Sequence, residues 1–368
     1  MPHVTRRDTL RGLGGAALLL ATPRLALADA DNAAKALNVA CQQRGRDQFE
    51  LVALDGAGAP LWSTPLPGRG HGVALRPQGD LIALTARRPG SWLWVVDVHS
   101  GQTRHQIEAP SGRHFYGHGC FNADGTRYFA TENEIQSGQG YVAIYAADAG
   151  FKRLGAFPVG GIGPHEILLD APRQELVVAI GGILTHPDRG RDKLNLDSMR
   201  PALARFSLDG VARSRVEPPA RWSQLSIRHI ALAPNGTTVM AMQYQGPKDQ
   251  EPPLWGVADA EGMRLYHGPA GIARRLRHYM GSAVVDGSGA YAAITAPRAN
   301  TATFWRLADG ALVGELAMAD VCGAAALEGA GRFVLTGGGG WAVETDVTGR
   351  VSRRWRPHGN GAWDNHLA

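Results

Sequence analysis

Five histidines stand at the head of five similar phrases in this 368-residue chain: His71, His118, His165, His229 and His366. Two further phrases carry Ser282 and Cys322 at the same register. Neutral imidazole is the commonest protein ligand for copper, iron, nickel and zinc, and a thiolate adds a soft donor. Imidazoles converging from neighbouring strands would supply the three or four ligands that such an ion needs. Three chemistries are open for this ring: a transition-metal site, an organic or anionic ligand, or histidines that only bond neighbouring loops and channel water. Metal binding is the leading reading. Cys322 and Glu132 are its expected extra donors, Glu132 being the carboxylate placed to reach the ring. Cys120 follows His118 by two residues, pointing to the same side of a strand, as a second sulfur or as core packing. Cys41 reads as packing.

The elements that position these residues emerge from an internal repeat. His71 to Thr85 reads as a strand, a Pro/Gly turn and a second strand, Trp92 to Val98 as a third, and Gln102 to Ile107 as a fourth. Four antiparallel strands with short turns make one propeller blade. The phrase returns at His118, His165, His229, Ser282 and Cys322, at spacings of 47, 47, 64, 53 and 40 residues. A seventh blade is split between the ends. Leu37 to Cys41, Phe49 to Leu54 and Pro60 to Leu66 lack a first strand, and the run through Trp363 and His366 begins one. The expected fold is all-β: a seven-bladed β-propeller whose ring closes by a C-terminal first strand joining three N-terminal strands. A six-bladed ring and a two-sheet sandwich are the alternatives.

First strands line a propeller's channel, so the ring lies at one mouth, under the loops that join second and third strands. The longest, in blade three, runs from Gly181 to Asn195 and presents His186, Asp188, Arg191, Lys193 and Asn195 as pocket-loop residues. Long polar loops over a pocket are a usual place for function.

Residues 1–28 read as an export signal: paired Arg6 and Arg7, an apolar run to Thr22, and Ala26-Leu27-Ala28 as a cleavage site. Residues 29–368 are then one propeller domain, and the destination is the periplasm by the twin-arginine route. The segment carries four arginines against one aspartate, so the charge of +5 falls to +2 on its removal. With no basic cluster, nucleic-acid binding is not expected. No other run is long enough to span a membrane. Three cysteines allow at most one disulfide. Nucleophile-elbow, Walker and dinucleotide motifs are absent.

Three phrases carry a resemblance: Gly161-Ile162-Gly163-Pro164-His165-Glu166, the stretch Gly181 to Asn195, and Leu225-Ser226-Ile227-Arg228-His229. They resemble a bacterial family of unknown function whose members are twin-arginine-exported, YVTN-like propellers. The resemblance implies metal handling in the periplasm, since members tend to be encoded beside imelysin-type proteins of iron uptake. It implies no catalytic residues. The expected function is therefore binding of iron or copper at the ring, in metal acquisition or metal-linked redox chemistry with periplasmic partners. The alternatives are a non-enzymatic interaction platform and a lactonase-like hydrolase.

Overall fold

Two kinds of apolar run build the blades. Second strands such as Leu81–Ala86, Glu175–Ile180 and Tyr291–Ala296 are apolar almost throughout and buried along nearly their whole length. Such runs suit strands covered on both faces, here by the neighbouring blades. Fourth strands alternate instead, as Thr103–Glu108 does between half-buried and exposed residues, because they form the outer rim.

The computed structural model describes residues 38–356 and 361–367. The signal expected over residues 1–28 lies outside the described residues. Seven four-stranded antiparallel sheets follow one another around a ring. Six blades begin at the axis with Gly70–Leu75, Arg113–Phe121, Pro164–Asp170, Leu225–Leu232, Ala283–Val285 and Val321–Ala326. The seventh begins with Ala362–Leu367, followed outward by Asn38–Gly45, Gln48–Leu54 and Pro60–Leu66. Ala40 stands opposite Leu367 and Gln42 opposite Trp363. The chain is thus an all-β, seven-bladed propeller, and its closing strand stands where the sequence places it. Closure leaves no inner sheet edge to pair with another chain.

Aromatic pairs fill the wedges between blades. Trp255 and Trp305 lie with ring centroids 5.0 Å apart, and Phe157 and Phe206 at 5.2 Å. The closing strand is fastened to the first complete blade by charge. Buried Asp364 accepts hydrogen bonds from Nε and Nη2 of Arg69, at 2.6 and 2.9 Å, and a longer one from Arg87. This two-point geometry is the strong form of an arginine–carboxylate bond. Cys41, Cys120 and Cys322 are all free, and Cys41 and Cys120 pack against apolar clusters. No helix among the described residues is long and apolar enough to cross a membrane.

Candidate metal centre

The inner strands are irregular where the histidines sit. Pairing slips between Gly70 and Val73, Phe115 and Gly119, Pro164 and Ile167, and Ile227 and His229. The closing strand slips likewise between its pairs at Trp363 and Leu367. A bulge re-aims side chains and frees backbone groups from the ladder. Thr131 in the second blade takes up two of these, its hydroxyl lying 3.1 Å from His118 O and 3.3 Å from His165 O. Gly117 has φ +112°, and a Cβ there would fall 2.4 Å from His71 Cδ2. Only glycine allows that backbone to lie against that ring.

The five imidazoles meet on the axis as a closed cluster. Centroids lie 4.6 Å apart for His71 and His366, 4.5 Å for His118 and His366, 4.8 Å for His71 and His118, 4.7 Å for His165 and His229, and 4.8 Å for His229 and His366. Their nitrogens fall into two sets whose ligand atoms lie within 4.8 Å of one another: His71, His118 and His165, and His118, His229 and His366 with Glu166. Donors at about 2.1 Å from a first-row ion stand roughly 3–4 Å from each other, so small rotations would close either set.

Electrostatics keep the cluster neutral. Burial, then the neighbouring histidines and Arg87, hold His71 well below its ordinary value. Burial and its histidine neighbours do the same for His118, and burial and Arg228 for His165. His229 and His366 are lowered to about 3, burial again being the main cause. Each ring therefore keeps a lone pair at neutral pH. His71 Nδ1, His118 Nε2, His165 Nδ1, His229 Nδ1 and His366 Nε2 are buried without a hydrogen-bond partner among the described residues. Orphaned buried polar atoms are rare in folded proteins and ask for an explanation.

Glu166 is the donor that sequence reasoning missed. Its Oε2 accepts a hydrogen bond from Ile230 N at 2.7 Å and lies 3.4 Å from His229 Nδ1, and its Oε1 is 3.7 Å from His118 Nδ1. Burial raises its carboxyl to about 7, against the opposing pull of His366 and the Ile230 N–H.

Two expected donors are elsewhere. Glu132 is fully buried but turned outward, accepting from both Arg153 guanidinium nitrogens at 2.5 and 2.9 Å and pairing with Arg113. The strand Arg127–Glu134 runs through its position and points it into the blade, where those two cations neutralise it. Cys322 occupies the ring register, but its Sγ lies against the carbonyls of Trp363 and Asp364 at 3.8 and 3.5 Å. Burial pushes its thiol up to about 12, so it is no thiolate. Ser282 does reach the cluster, with Oγ 3.3 Å from His366 Nδ1.

The cluster divides the channel. Above it lies a cavity of about 490 Å³ with His71, His165 and His229 in its floor. Below it a smaller one, about 290 Å³, is lined by His118, Glu166, Ser282 and His366. Of the pocket-loop residues, His186, Arg191 and Lys193 line the upper cavity. Asp188 instead is solvent-exposed, its backbone N–H bonded to His186 Nδ1. Asn195 braces the loop, accepting from Leu184 N and donating to Gly182 O.

Fold and site together define a β-propeller with a histidine–glutamate cluster plugging its channel. The chain belongs to the family described as "Protein of unknown function (DUF1513)", whose model matches residues 64–368 and so spans the three phrases that carry the resemblance. No curated protein matches the sequence. Among solved structures, the chain is similar to Pseudomonas aeruginosa periplasmic gluconolactonase, at 13% identity over 89% of this chain and 97% of that one, with a TM-score of 0.61. Hydrazine synthase of Kuenenia stuttgartiensis shares 11% identity over 84% and 92% of the chains, TM-score 0.60. BamB of Moraxella catarrhalis shares 12% over 87% and 85%, TM-score 0.51. Likenesses at such identity show a common propeller fold alone.

Proposed function

We propose that this propeller binds one transition-metal ion in its channel cluster and acts in metal acquisition or metal-linked redox chemistry in the periplasm. The observation that carries the reading is the set of five neutral imidazoles, each with a buried ring nitrogen that no described residue satisfies. His118, His229, His366 and Glu166 form a mixed imidazole–carboxylate set, and such sets suit non-haem iron. His71, His118 and His165 form an all-imidazole set, which suits copper equally well. His118 belongs to both, and a neutral imidazole has one lone pair, so one set at a time can be complete. A bound iron or copper ion would supply Lewis acidity or one-electron chemistry; the chain's own groups would hold it and shield it from bulk water. A lactonase-type site is built mainly from carboxylates, and the cluster offers Glu166 alone among the described residues.

The test is titration of metal-free protein with Fe(II) and Cu(II), followed by electron paramagnetic resonance of the copper form. One tight equivalent, with several nitrogen couplings at copper, supports the reading. Absence of tight uptake of either ion overturns it.

A further inference from the structure

The upper cavity has a one-sided charge. Arg88, Arg191, Lys193, Arg228, Lys248 and Arg298 line it, together with Arg87, and no carboxylate does among the described residues. Aspartate and glutamate number 33 in the chain against 38 lysines and arginines, so this separation is local rather than compositional. Of the seven cations, Arg87 alone has an acidic partner among the described residues, Asp364. Arg88 donates to Thr185 Oγ1 at 2.8 Å, Lys248 to Tyr244 O at 2.8 Å, and Lys193 to the Gln245 amide oxygen. Arg298 lies 4.1 Å over the Tyr279 ring. These contacts orient the cations without neutralising them.

A buried polar atom of the wall adds an independent sign. Arg228 is only 8% exposed, and its Nε has no hydrogen-bond partner among the described residues. Burial lowers Lys193 and Lys248 first, and nearby cations such as Arg298 lower them further. Like charges held together in a concave, partly dry site cost stability unless an anion joins them.

We infer that the upper cavity is a binding site for a small organic or inorganic anion carrying two or more carboxylate or phosphate groups, held by the arginine and lysine wall over the imidazole floor. Planar guanidinium groups suit both chemistries through paired N–H donors. About 490 Å³ accommodates a molecule of metabolite size. The inference uses the channel of the proposed metal site and does not depend on the ion.

Calorimetric titration with citrate, pyrophosphate and uncharged glucose tests it, using metal-free wild-type protein, R88Q/R298Q and H118A/H366A. The first pair removes two wall cations; the second breaks the metal cluster from the lower side and leaves the wall intact. Citrate or pyrophosphate should bind and glucose should not. R88Q/R298Q should weaken binding about tenfold or more, since charge-assisted bonds are lost. Binding should persist in H118A/H366A even when metal uptake is gone, which separates failure of this inference from failure of the metal reading. Preference for citrate would assign a polycarboxylate, and preference for pyrophosphate a phosphate ligand. No heat with either anion in the wild type, or equal binding by R88Q/R298Q, would overturn the inference.

Discussion

Oε2 of Glu166 stands 3.4 Å from Nδ1 of His229, two residues that a regular strand alternation would not bring to one centre from their separate blades. The pair holds the one carboxylate in a cluster of neutral imidazoles, and it makes the site's proton balance measurable. With Glu166 raised to about 7, the metal-free protein carries a protonated carboxyl at pH 6. A metal ion would displace that proton. Affinity for the Glu166 set should therefore rise with pH up to about 7, with close to one proton released per ion, and the release should vanish in Glu166→Gln. Calorimetry in buffers of different ionisation enthalpy reads the proton count.

The same carboxyl shapes stability in the opposite sense to most acids. The folded chain keeps the proton up to about 7, whereas the unfolded chain loses it near 4.5. Glu166 thus favours the fold least above pH 7, and its advantage is lost as pH rises through that window. Glu166→Gln should stabilise metal-free protein at pH 8 by about 2–3 kcal/mol and leave it nearly unchanged at pH 4. Urea denaturation at the two pH values checks this.

Histidine protonation should weaken the fold on the acid side. The unfolded rings accept protons near 6.5, while folded His229 and His366 resist until about 3, and His71, His118 and His165 are held low as well. Stability is then fully present above 6.5 and falls as pH drops, by up to about 1.4 kcal/mol per pH unit for each ring. Melting temperature should decline steeply below pH 6.5, more gently in a His229→Gln/His366→Gln variant. Arg87 and Arg228 face the cluster and act in the same direction, opposed by Glu166 and Asp364.

Ring closure rests on Asp364. Replacing it with asparagine keeps the size but leaves the guanidinium of Arg69 without its charged partner. Breaking a fully buried pair costs about 3–5 kcal/mol, and with Arg69 partly exposed the expected loss is about 2 kcal/mol. Hydrogen exchange should quicken first in Ala362–Leu367 and its partner Asn38–Gly45, as a closure strand that opens locally would require.

The blades and the histidine register were legible in the sequence because a tight turn follows the residue that meets the axis after a short, nearly constant interval, as Gly125 follows His118 and Gly236 follows His229. Glu166 was not. It follows His165 directly, and alternation sends neighbours to opposite faces; the bulge between Pro164 and Ile167 brings both to the channel. Glu132 was misplaced for the converse reason: the strand Arg127–Glu134 runs regularly through its position, and alternation turns it toward Arg153 rather than the ring. Cys322 sits at the right register, yet the closing strand, remote in sequence, supplies the carbonyls that its sulfur meets. Of the cationic wall, Arg191 and Lys193 were legible as loop residues over the ring; the rest was not, because the wall's members come from five separate stretches of chain and converge only in the closed ring.

The central claim is tested most directly by elemental analysis of protein expressed with its own N-terminal segment and purified without an affinity tag, beside His118→Ala. His118 is the one ligand shared by both donor sets. Near one equivalent of iron or copper in the wild type, lost in the variant while the melting transition remains, is the result expected. A folded wild type that carries no metal and takes up neither ion on addition would contradict it.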